Sequence, residues 1–316
     1  MGDQLPLLGF GLPVSGSWAT PATMIRVARR AEALGYASLW TFQRVLTPVA
    51  AELQDPAGRA ADDPAYQAVH DPLVTLAYVA GHTERIGLGT ATVCAPFTAP
   101  ALLAKAMTSL DQLTAGRLTV GLGAGWSPQE YAAAGIPFAR RGARMDEYLR
   151  CLEALWTQDP VEFAGEFYTV PRSHVGLKPV QRPHPPVLLG GTAEPALRRA
   201  GRLAQGWICG SGQDLRRIEE PIATVRAAAR AAGRDPEAVR IVVRAVVDLV
   251  DEDPGAGRRT FHGTRDQILG DLTGLHARGV TEVFFDLNFS PRVGSPAVDA
   301  EAATAEAELV LDALAP

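Results

Sequence analysis

Residues 85–126 decide the fold, and they read RIGLGTATVCAPFTAPALLAKAMTSLDQLTAGRLTVGLGAGW. Two apolar runs rich in β-branched residues, 86–93 and 118–122, flank a segment of helical character at 99–113. A strand, a helix and a second strand without a hairpin-length turn form a βαβ unit, so the two strands are expected to be parallel. Both runs end in small residues, and parallel α/β folds bind ligands at the carboxyl ends of their strands. The stretch therefore predicts the floor of an active site.

The same alternation of strand and helix extends along all 316 residues. Apolar segments predict strands at 5–12, 37–42, 86–93, 118–122, 186–189, 206–209, 239–250 and 280–287. Eight such units, each followed by helix, predict an α/β fold of the (β/α)8 TIM-barrel type, with residues 1–316 in a single domain. The runner-up is an open doubly wound sheet. It would need a Gly-x-Gly-x-x-Gly turn after the first strand, and residues 9–14 lack the third glycine.

Two long stretches without a clear period interrupt this pattern. One follows strand two at 46–70 and is rich in Asp, Ala and Pro, and the other precedes strand five at 157–186. Loops of this length in compact domains are usually lids or binding loops. We expect them to select the substrate.

Composition excludes several classes of function. The net charge of −5 argues against a nucleic-acid partner. No leader-like segment or apolar run of membrane length is present, which predicts a cytoplasmic protein with no membrane partner. Cys94, Cys151 and Cys209 are odd in number and widely spaced, so they predict neither a disulfide framework nor a metal site. Scarce lysine beside abundant arginine and alanine indicates a bacterial genome rich in GC.

Glycine clusters follow three of the predicted strands, at 123–125, 190–191 and 210–212. Glycine allows a flat ligand to approach the backbone closely. At 190–192 a strand turns into a helix, where free amide groups meet the positive end of the helix dipole and suit a phosphate. The alternative is that these glycines simply close tight turns between strand and helix.

Groups for acid–base catalysis are scarce along the chain. No metal triad, no Ser-His-Asp order and no Gly-x-Ser-x-Gly elbow occurs. His70 and His174 lie in the two long loops, where a ligand could meet them, and the other four histidines fit loop or helix-end positions. A site rich in backbone amides and poor in acid–base groups is typical of proteins that hold a reactive cofactor.

The motifs, taken in order, resemble those of the luciferase-like monooxygenase superfamily, especially its coenzyme F420-dependent branch. The resemblance covers nearly the whole chain. It is carried by 31–36 (AEALGY), 38–40 (SLW), 71–73 (DPL), 83–90 (TERIGLGT), 111–113 (DQL), 116–118 (GRL), 121–126 (GLGAGW), 141–147 (RGARMDE) and 185–191 (PPVLLGG).

The resemblance implies a barrel that holds a flavin or deazaflavin at its carboxyl end. It also implies a non-prolyl cis peptide at the end of strand three, against the central ring of the cofactor. Further implied contacts are the strand-four glycines for the ring, the strand-five loop for the phosphate region, and one polar side chain. The positions implied for cofactor binding are Thr90, Ala91, Thr92, Gly123, Gly125, Gln129, Gly190, Gly191 and Thr192.

The chain departs from the family pattern at two places. Many deazaflavin-dependent members carry Asp-His after strand two, where this chain has Gln43 and Arg44. Some sugar-phosphate dehydrogenases carry an acidic residue where Trp126 stands. Both changes remove proton-transfer groups. Arg44 instead offers a fixed positive charge for an anionic substrate or for charge that develops during hydride transfer. The alternative for Arg44 is a salt bridge to the acidic loop that follows it.

The resemblance thus favours an F420-dependent oxidoreductase that transfers hydride between the deazaflavin and a small organic substrate. Gln43 and Arg44 are the candidate catalytic residues, and Phe42, Trp126, His70 and His174 are the candidate substrate pocket. One alternative is an FMN-dependent monooxygenase supplied by a separate reductase. A second is a non-catalytic cofactor-binding barrel. The resemblance further implies a homodimer, and no metal is expected.

Overall fold

The computed structural model describes residues 5–49, 63–210 and 212–316. Within them, eight parallel strands close into a barrel surrounded by helices. The barrel strands are β1 (Leu7–Gly11), β2 (Ser38–Thr41), β3 (Gly87–Thr90), β4 (Leu118–Gly123), β5 (Val187–Gly190), β6 (Gly206–Cys209), β7 (Arg240–Ala245) and β8 (Glu282–Phe285). Each strand pairs with the next, and β8 pairs with β1 through Leu7 and Glu282. The predicted (β/α)8 fold is confirmed.

Helices connect the strands on the outside of the barrel. They are α1 (Pro21–Leu34), α2 (Pro72–Ala80), α3 (Pro100–Leu113), α4 (Pro128–Ala133), α5 (Arg141–Thr157), α6 (Glu194–Leu203), α7 (Glu219–Ala231), α8 (Arg265–Ala277) and α9 (Ala300–Ala313). Their ends follow local signals. Thr20 caps α1 by accepting from the Thr23 N–H, Gly35 ends it at a φ of 89°, and Thr264 with Gln267 forms a capping box on α8. Among the described residues, no helix has the length and apolar character to cross a membrane.

The stretch at 157–186 contains structure that its composition did not predict. The strands Val161–Ala164 and Thr169–Ser173 pair antiparallel as a hairpin. Glu147 on α5 holds the tip of this hairpin, because its carboxylate accepts the N–H groups of residues 166–168 at 2.7 to 2.8 Å. In the stretch at 46–70, residues 50–62 lie outside the described part, and the remainder includes a 3-10 turn at Pro64–Tyr66.

Several predicted elements are shorter than expected, among them the strand predicted at 86–93, which ends at Thr90, and two others differ more. Residues 214–232 predict one long helix from their sequence, but α7 begins only at Glu219, after a 3-10 turn at Leu215–Arg217. Pro221 lacks an N–H group and therefore fits the first turn of this later start. The strand expected at 239–250 ends at Ala245, and the short strand Asp248–Leu249 pairs instead with His262–Gly263, outside the barrel.

Buried side chains fill the interior of the barrel over the described residues. A central cluster consists of Trp40, Ala91, Leu188, Ile208, Val242 and Phe284. The Trp40 ring stacks on Phe284 at 5.2 Å, and its indole N–H contacts Ser38 Oγ at 2.7 Å and Glu282 Oε1 at 3.0 Å. Glu282 also pairs with Arg240 at 2.9 Å. These polar contacts close the amino-terminal end of the barrel.

Candidate active site

Two cavities lie over the carboxyl ends of the strands and meet along one edge. The inner cavity, of about 120 Å³, lies over β2, β3 and β7, and the outer cavity, of about 430 Å³, lies over β4, β5 and the start of α6. Thr92, Gly125 and Trp126 line both. The inner cavity is lined in addition by Phe42, Gln43, Arg44, Tyr66, Ala91, Cys94, Phe97, Glu130 and Arg244. Together the two form one cleft, which has an inner and an outer part.

The floor between the two parts is built by the segment after β3. The Ala91–Thr92 peptide bond is cis, as the family resemblance implies. Thr90 is fully buried, and its hydroxyl donates to the Gly121 carbonyl at 2.8 Å and accepts from the Gly121 N–H at 2.9 Å. Thr90 therefore joins β3 to β4, while the side chain of Thr92 stands between Gly123 and Gly190.

Gly125 occupies a position that a larger residue cannot take without strain. Its φ is +69°, and a Cβ there would lie 2.6 Å from Cys94 Sγ and 3.1 Å from the Tyr131 ring. The left-handed backbone conformation disfavours residues that carry a Cβ. The glycine therefore keeps the two parts of the cleft continuous.

Arg44 lies in the wall of the inner cavity as half of a buried ion pair. Its Nη1 lies 3.2 Å from a carboxylate oxygen of Glu130, and the two side chains are 3% and 8% exposed. The Glu130 carboxylate also accepts from the Val45 N–H at 2.7 Å. The Cζ of Arg44 lies 5.0 Å and 4.6 Å from the ring centroids of Tyr66 and Trp126. Its Nε and Nη2 are buried without a hydrogen-bond partner among the described residues.

Gln43 and Cys94 form a neutral part of the same wall. The Gln43 side-chain oxygen accepts from the Cys94 N–H at 2.8 Å, which fixes the position of this oxygen in the cavity wall. Burial, followed by the nearby negative charge of Glu130, raises the pKa of the Cys94 thiol well above its usual range. The thiol is therefore neutral at physiological pH and is not an activated nucleophile.

Arg244 is a second cation beside the inner cavity. Its Nη2 donates to the Ala91 carbonyl, and its Nε lies 3.1 Å from the Asp286 carboxylate without forming a directed hydrogen bond. Its Cζ lies 5.4 Å from the ring centroid of Phe42. Among the described lining residues, the inner cavity thus combines two guanidinium groups, each paired with one carboxylate, with aromatic surface.

The outer cavity has the features of an anion site. Gly190, Gly191 and Thr192 lead from β5 into α6, whose first residues have no side-chain cap. Gly191 has a φ of +125°, and a Cβ there would lie 2.8 Å from the Cβ of Ala196. Arg199 lies on the same rim, 2.6 Å from Asp146. Uncapped backbone amides at a helix start with an arginine nearby suit a phosphate.

The predicted site residues are mostly brought together. Phe42, Gln43, Arg44, Ala91, Thr92, Gly123, Gly125, Trp126, Gly190, Gly191 and Thr192 line the cleft. Gln129 lies on α4 beside the cleft, 3.2 Å from Ser127 Oγ, and is not among the lining residues. Thr90 lies beneath the floor.

The two histidines are placed elsewhere. His70 is exposed, and its Nε2 lies 3.0 Å from the Ala19 carbonyl. His174 Nδ1 lies 3.1 Å from Asp159, which follows α5. Helices of the barrel return to its amino-terminal end, so His174 lies at the end opposite the cleft. The structure does not bring either histidine to the cleft wall.

Glu130 is one of several lining residues that sequence reasoning missed, together with Tyr66 and Arg244. The run from Ser127 to Glu130 has the Ser-x-x-Glu form of a capping box, in which the glutamate would turn back to the helix start. Ser127 does accept from the Glu130 N–H at 3.3 Å, but the Glu130 carboxylate points to Arg44. The salt bridge of Arg44 is thus formed with α4. The spacing of residues along the sequence does not predict that this salt bridge is buried.

Comparison with known proteins is consistent with this fold and cleft. Residues 8–306 match the family described as luciferase-like monooxygenase, and the chain belongs to that family. An uncharacterized protein of Mycobacterium tuberculosis is 36% identical over 245 residues, which cover 76% of this chain and 85% of that protein.

Characterised relatives differ in their cofactor. An FMNH2-dependent dimethylsulfone monooxygenase of Pseudomonas putida is 32% identical over 209 residues, which cover 65% of this chain and 55% of that enzyme. An F420-dependent glucose-6-phosphate dehydrogenase of Amycolatopsis mediterranei is 28% identical over 215 residues, which cover 66% of this chain and 59% of that enzyme. The crystal structure of the monooxygenase RslO1 from Streptomyces bottropensis shares the fold with a TM-score of 0.76, at 21% identity, covering 97% of this chain and 98% of that one.

Proposed function

We propose that the protein is a coenzyme F420-dependent oxidoreductase that transfers hydride between the deazaflavin and a small organic substrate. The observation that carries this proposal is the division of one cleft into two chemically different parts. The outer part presents backbone amides and arginine, whereas the inner part presents aromatic rings and buried polar groups. The phosphate region of a cofactor needs the first, its flat ring would lie where the two parts meet, and a substrate needs the second.

The residues present fit such a cofactor. Gly191, Thr192 and Arg199 would hold the phosphate region, because they combine an uncapped helix start with a positive charge. Thr92 and Gly125 would lie beside the ring, since they line both parts of the cleft. Gln129 stays a candidate for a further polar contact. The bound deazaflavin supplies the carbon that donates or accepts hydride.

The side chains of the inner part orient the substrate. Gln43 is fixed by the Cys94 N–H, and Arg44 is fixed by Glu130. Both therefore present hydrogen-bond donors in set positions, which favours a defined approach of the reacting carbon. An arginine does not release its proton in the physiological range, so Arg44 binds and stabilises charge and does not act as a general acid. Phe42 and Trp126 exclude water from the same space.

An FMN-dependent monooxygenase is the second candidate. It is favoured by the dimethylsulfone monooxygenase, which is more similar to this chain than the glucose-6-phosphate dehydrogenase is. A separate reductase would then supply the reduced cofactor. The third candidate, a barrel that binds a cofactor without turnover, is favoured by Gln43 and Arg44, which replace the Asp-His pair expected from the family resemblance.

Parallel titration of the purified protein with oxidised F420 and with FMN tests the proposal. We expect saturable binding of F420 at one site per chain, at least tenfold tighter than that of FMN. Tight FMN binding without F420 binding would favour the monooxygenase. Binding of F420 without oxidation of its reduced form by any member of a broad substrate panel would favour the non-catalytic barrel.

The remaining expectations belong to the same proposal. We propose a single catalytic domain over residues 1–316, a homodimer as the working form, and a cytoplasmic location. Sedimentation equilibrium of the purified protein tests the dimer.

A further inference from the structure

A further cavity, of about 200 Å³, lies between α5, α6 and the turn after α7, away from the cleft. We call it the amino-end cavity. We infer that it binds a small organic dianion with an apolar body, and that Arg150, Arg202 and Arg234 hold the two negative charges. The inference does not depend on the redox proposal, because none of these three residues lines the cleft.

The position of the cavity follows from the elements around it. Val187 is the first residue of β5 and Gln205 directly precedes β6, so the cavity lies at the amino ends of these strands. Trp156, in the last turn of α5, lines it from the side. The cleft lies over the opposite, carboxyl ends of the strands. The amino-end cavity is therefore a separate site on the same barrel.

Two of the arginines bring positive charges that no carboxylate compensates. Arg150 is exposed on α5, and its side chain forms no salt bridge or hydrogen bond with any residue that the structure describes. Arg234 is half-buried, and its Nη1 donates to the Gly201 carbonyl in the last turn of α6. Its Nε and Nη2 have no partner in the described chain and are not sealed from solvent. Both guanidinium groups thus keep donors that a ligand can reach.

The environment of Arg234 points to a missing negative charge. Burial lowers the pKa of its guanidinium, and no carboxylate of the described chain opposes this effect. By comparison, Arg226 on α7 pairs with Glu237 at 3.0 Å. An anion bound beside Arg234 would favour its charged form in the same way.

The charges of the lining add up to a positive site. Arg202 lies 3.7 Å from Asp146, but that carboxylate lies closer to Arg199, at 2.6 Å. Glu153 is the single acidic residue among the described lining residues. Three arginines and one glutamate leave a net charge of +2, whereas the whole chain carries −5. A dianion neutralises this excess, and a monoanion or a neutral molecule does not.

The apolar part of the lining sets the body of the ligand. Leu149, Leu152 and Trp156 are buried side chains that line the cavity, and the Trp156 ring stacks on His184 at 5.2 Å. A dry cavity on the order of 150 Å³ holds one benzene ring. At about 200 Å³, the amino-end cavity has room for one ring that carries a small acidic group.

Fluorine NMR titration of the purified protein tests this inference at low ionic strength and about pH 8, where a phosphate monoester carries two charges. The dianionic probes are 4-fluorophenyl phosphate and 4-fluorophthalate. Their monoanionic partners are 4-fluorophenyl sulfate and 4-fluorobenzoate, and 4-fluoroanisole is neutral. We expect a dianion to bind at least fivefold more tightly than its monoanionic partner, and the tighter dianion identifies the acidic group. Equal affinities, or no binding of any probe, would overturn the inference.

Variants assign the binding to this cavity. Arg150→Gln removes a side chain without described contacts, so the fold should persist while the dianion binds at least threefold more weakly. Adding Arg234→Gln should raise the loss to at least tenfold. Glu153→Gln should tighten binding at least twofold, a gain that a damaged fold does not produce. Arg230→Gln is the matched control, because Arg230 is exposed on α7 outside this lining, and it should change nothing.

The outer cavity is the competing anion site on this chain. Gly191→Ala alters that site and leaves the amino-end cavity intact, so the dianion should bind this variant as it binds the wild type. Loss of dianion binding in Gly191→Ala with full binding in Arg150→Gln would place the probe in the outer cavity and overturn the inference. An equal loss in Arg150→Gln and Arg230→Gln would overturn it as well, because the effect would then reflect overall charge.

Discussion

The buried ion pair of Arg44 and Glu130 yields a prediction about stability. With 3.2 Å between Nη1 and the carboxylate oxygen, the attraction is about 5 kcal/mol at an effective dielectric constant of about 20. The cost of removing both charges from water offsets much of this attraction. Breaking a buried pair from one side leaves the other charge without a partner, which typically costs about 3–5 kcal/mol.

Glu130→Gln should therefore lower the free energy of unfolding by about 3 kcal/mol. The lower end of the range applies because the amide oxygen can still accept from the Val45 N–H. The double variant Arg44→Met, Glu130→Gln removes both charges, and replacing a buried pair by groups of similar size is often neutral. We expect it to lie within about 1 kcal/mol of the wild type and above either single variant.

Urea unfolding followed by circular dichroism measures these differences, with equal slopes confirming comparable transitions. Glu166→Ala is the matched control, because Glu166 forms its pair with Arg140 on the exposed surface, and its unfolding midpoint should stay unchanged. A double variant less stable than both single variants would refute the reasoning. It would mean that neither buried charge is stabilised by the other in the folded protein.

Three further predictions concern the outer cavity and the titrating groups. Gly191→Ala, at a φ of +125°, should weaken cofactor binding at least tenfold in a fluorescence titration, whereas Gly176→Ala, with open space around its Cα, should not. Burial alone would raise the pKa of Glu32, but three backbone hydrogen bonds outweigh it and hold that pKa below its usual range. Glu32→Gln should therefore cost about 1 kcal/mol at neutral pH, and its urea midpoint should converge with that of the wild type as the pH falls through the lowered pKa of Glu32 and the wild-type carboxylate becomes protonated. Burial raises the pKa of Cys209 from 9.0 to about 12. The neutral thiol therefore stabilises the folded protein fully below pH 9, and this stabilisation is lost as the pH rises. The urea midpoint of the wild type should fall between about pH 9 and pH 11, and by less in Cys209→Ala.

The barrel was predictable because its signals are local and repeated. Apolar runs, the helix cap at Thr20 and the glycine end at Gly35 each depend on a few neighbouring residues. The glycines at 123–125 and 190–191 follow strands, and the carboxyl ends of parallel strands meet at one end of a barrel. The order of strands and glycines along the sequence was therefore enough to predict most of the residues that line the cleft.

The remainder depends on contacts between distant residues. Arg44 and Glu130 are separated by 86 positions in the sequence. The spacing of Ser127 and Glu130 predicts a helix cap, whereas the Glu130 carboxylate in fact pairs with Arg44. Glu147 accepts hydrogen bonds from the hairpin after α5, about 20 positions further along the chain. The periodicity of the hairpin strands does not reveal this contact. His174 was assigned to the substrate pocket from its loop alone, but the hairpin and Asp159 place it at the other end of the barrel.

The central claim is that one cleft holds a flat redox cofactor across its two parts. A crystal structure of the protein soaked with coenzyme F420 tests it directly. We predict density for the ring beside Thr92 and Gly125, with the phosphate next to Gly191. Density for the cofactor outside the cleft, or a cleft filled by the protein's own side chains, would contradict the claim.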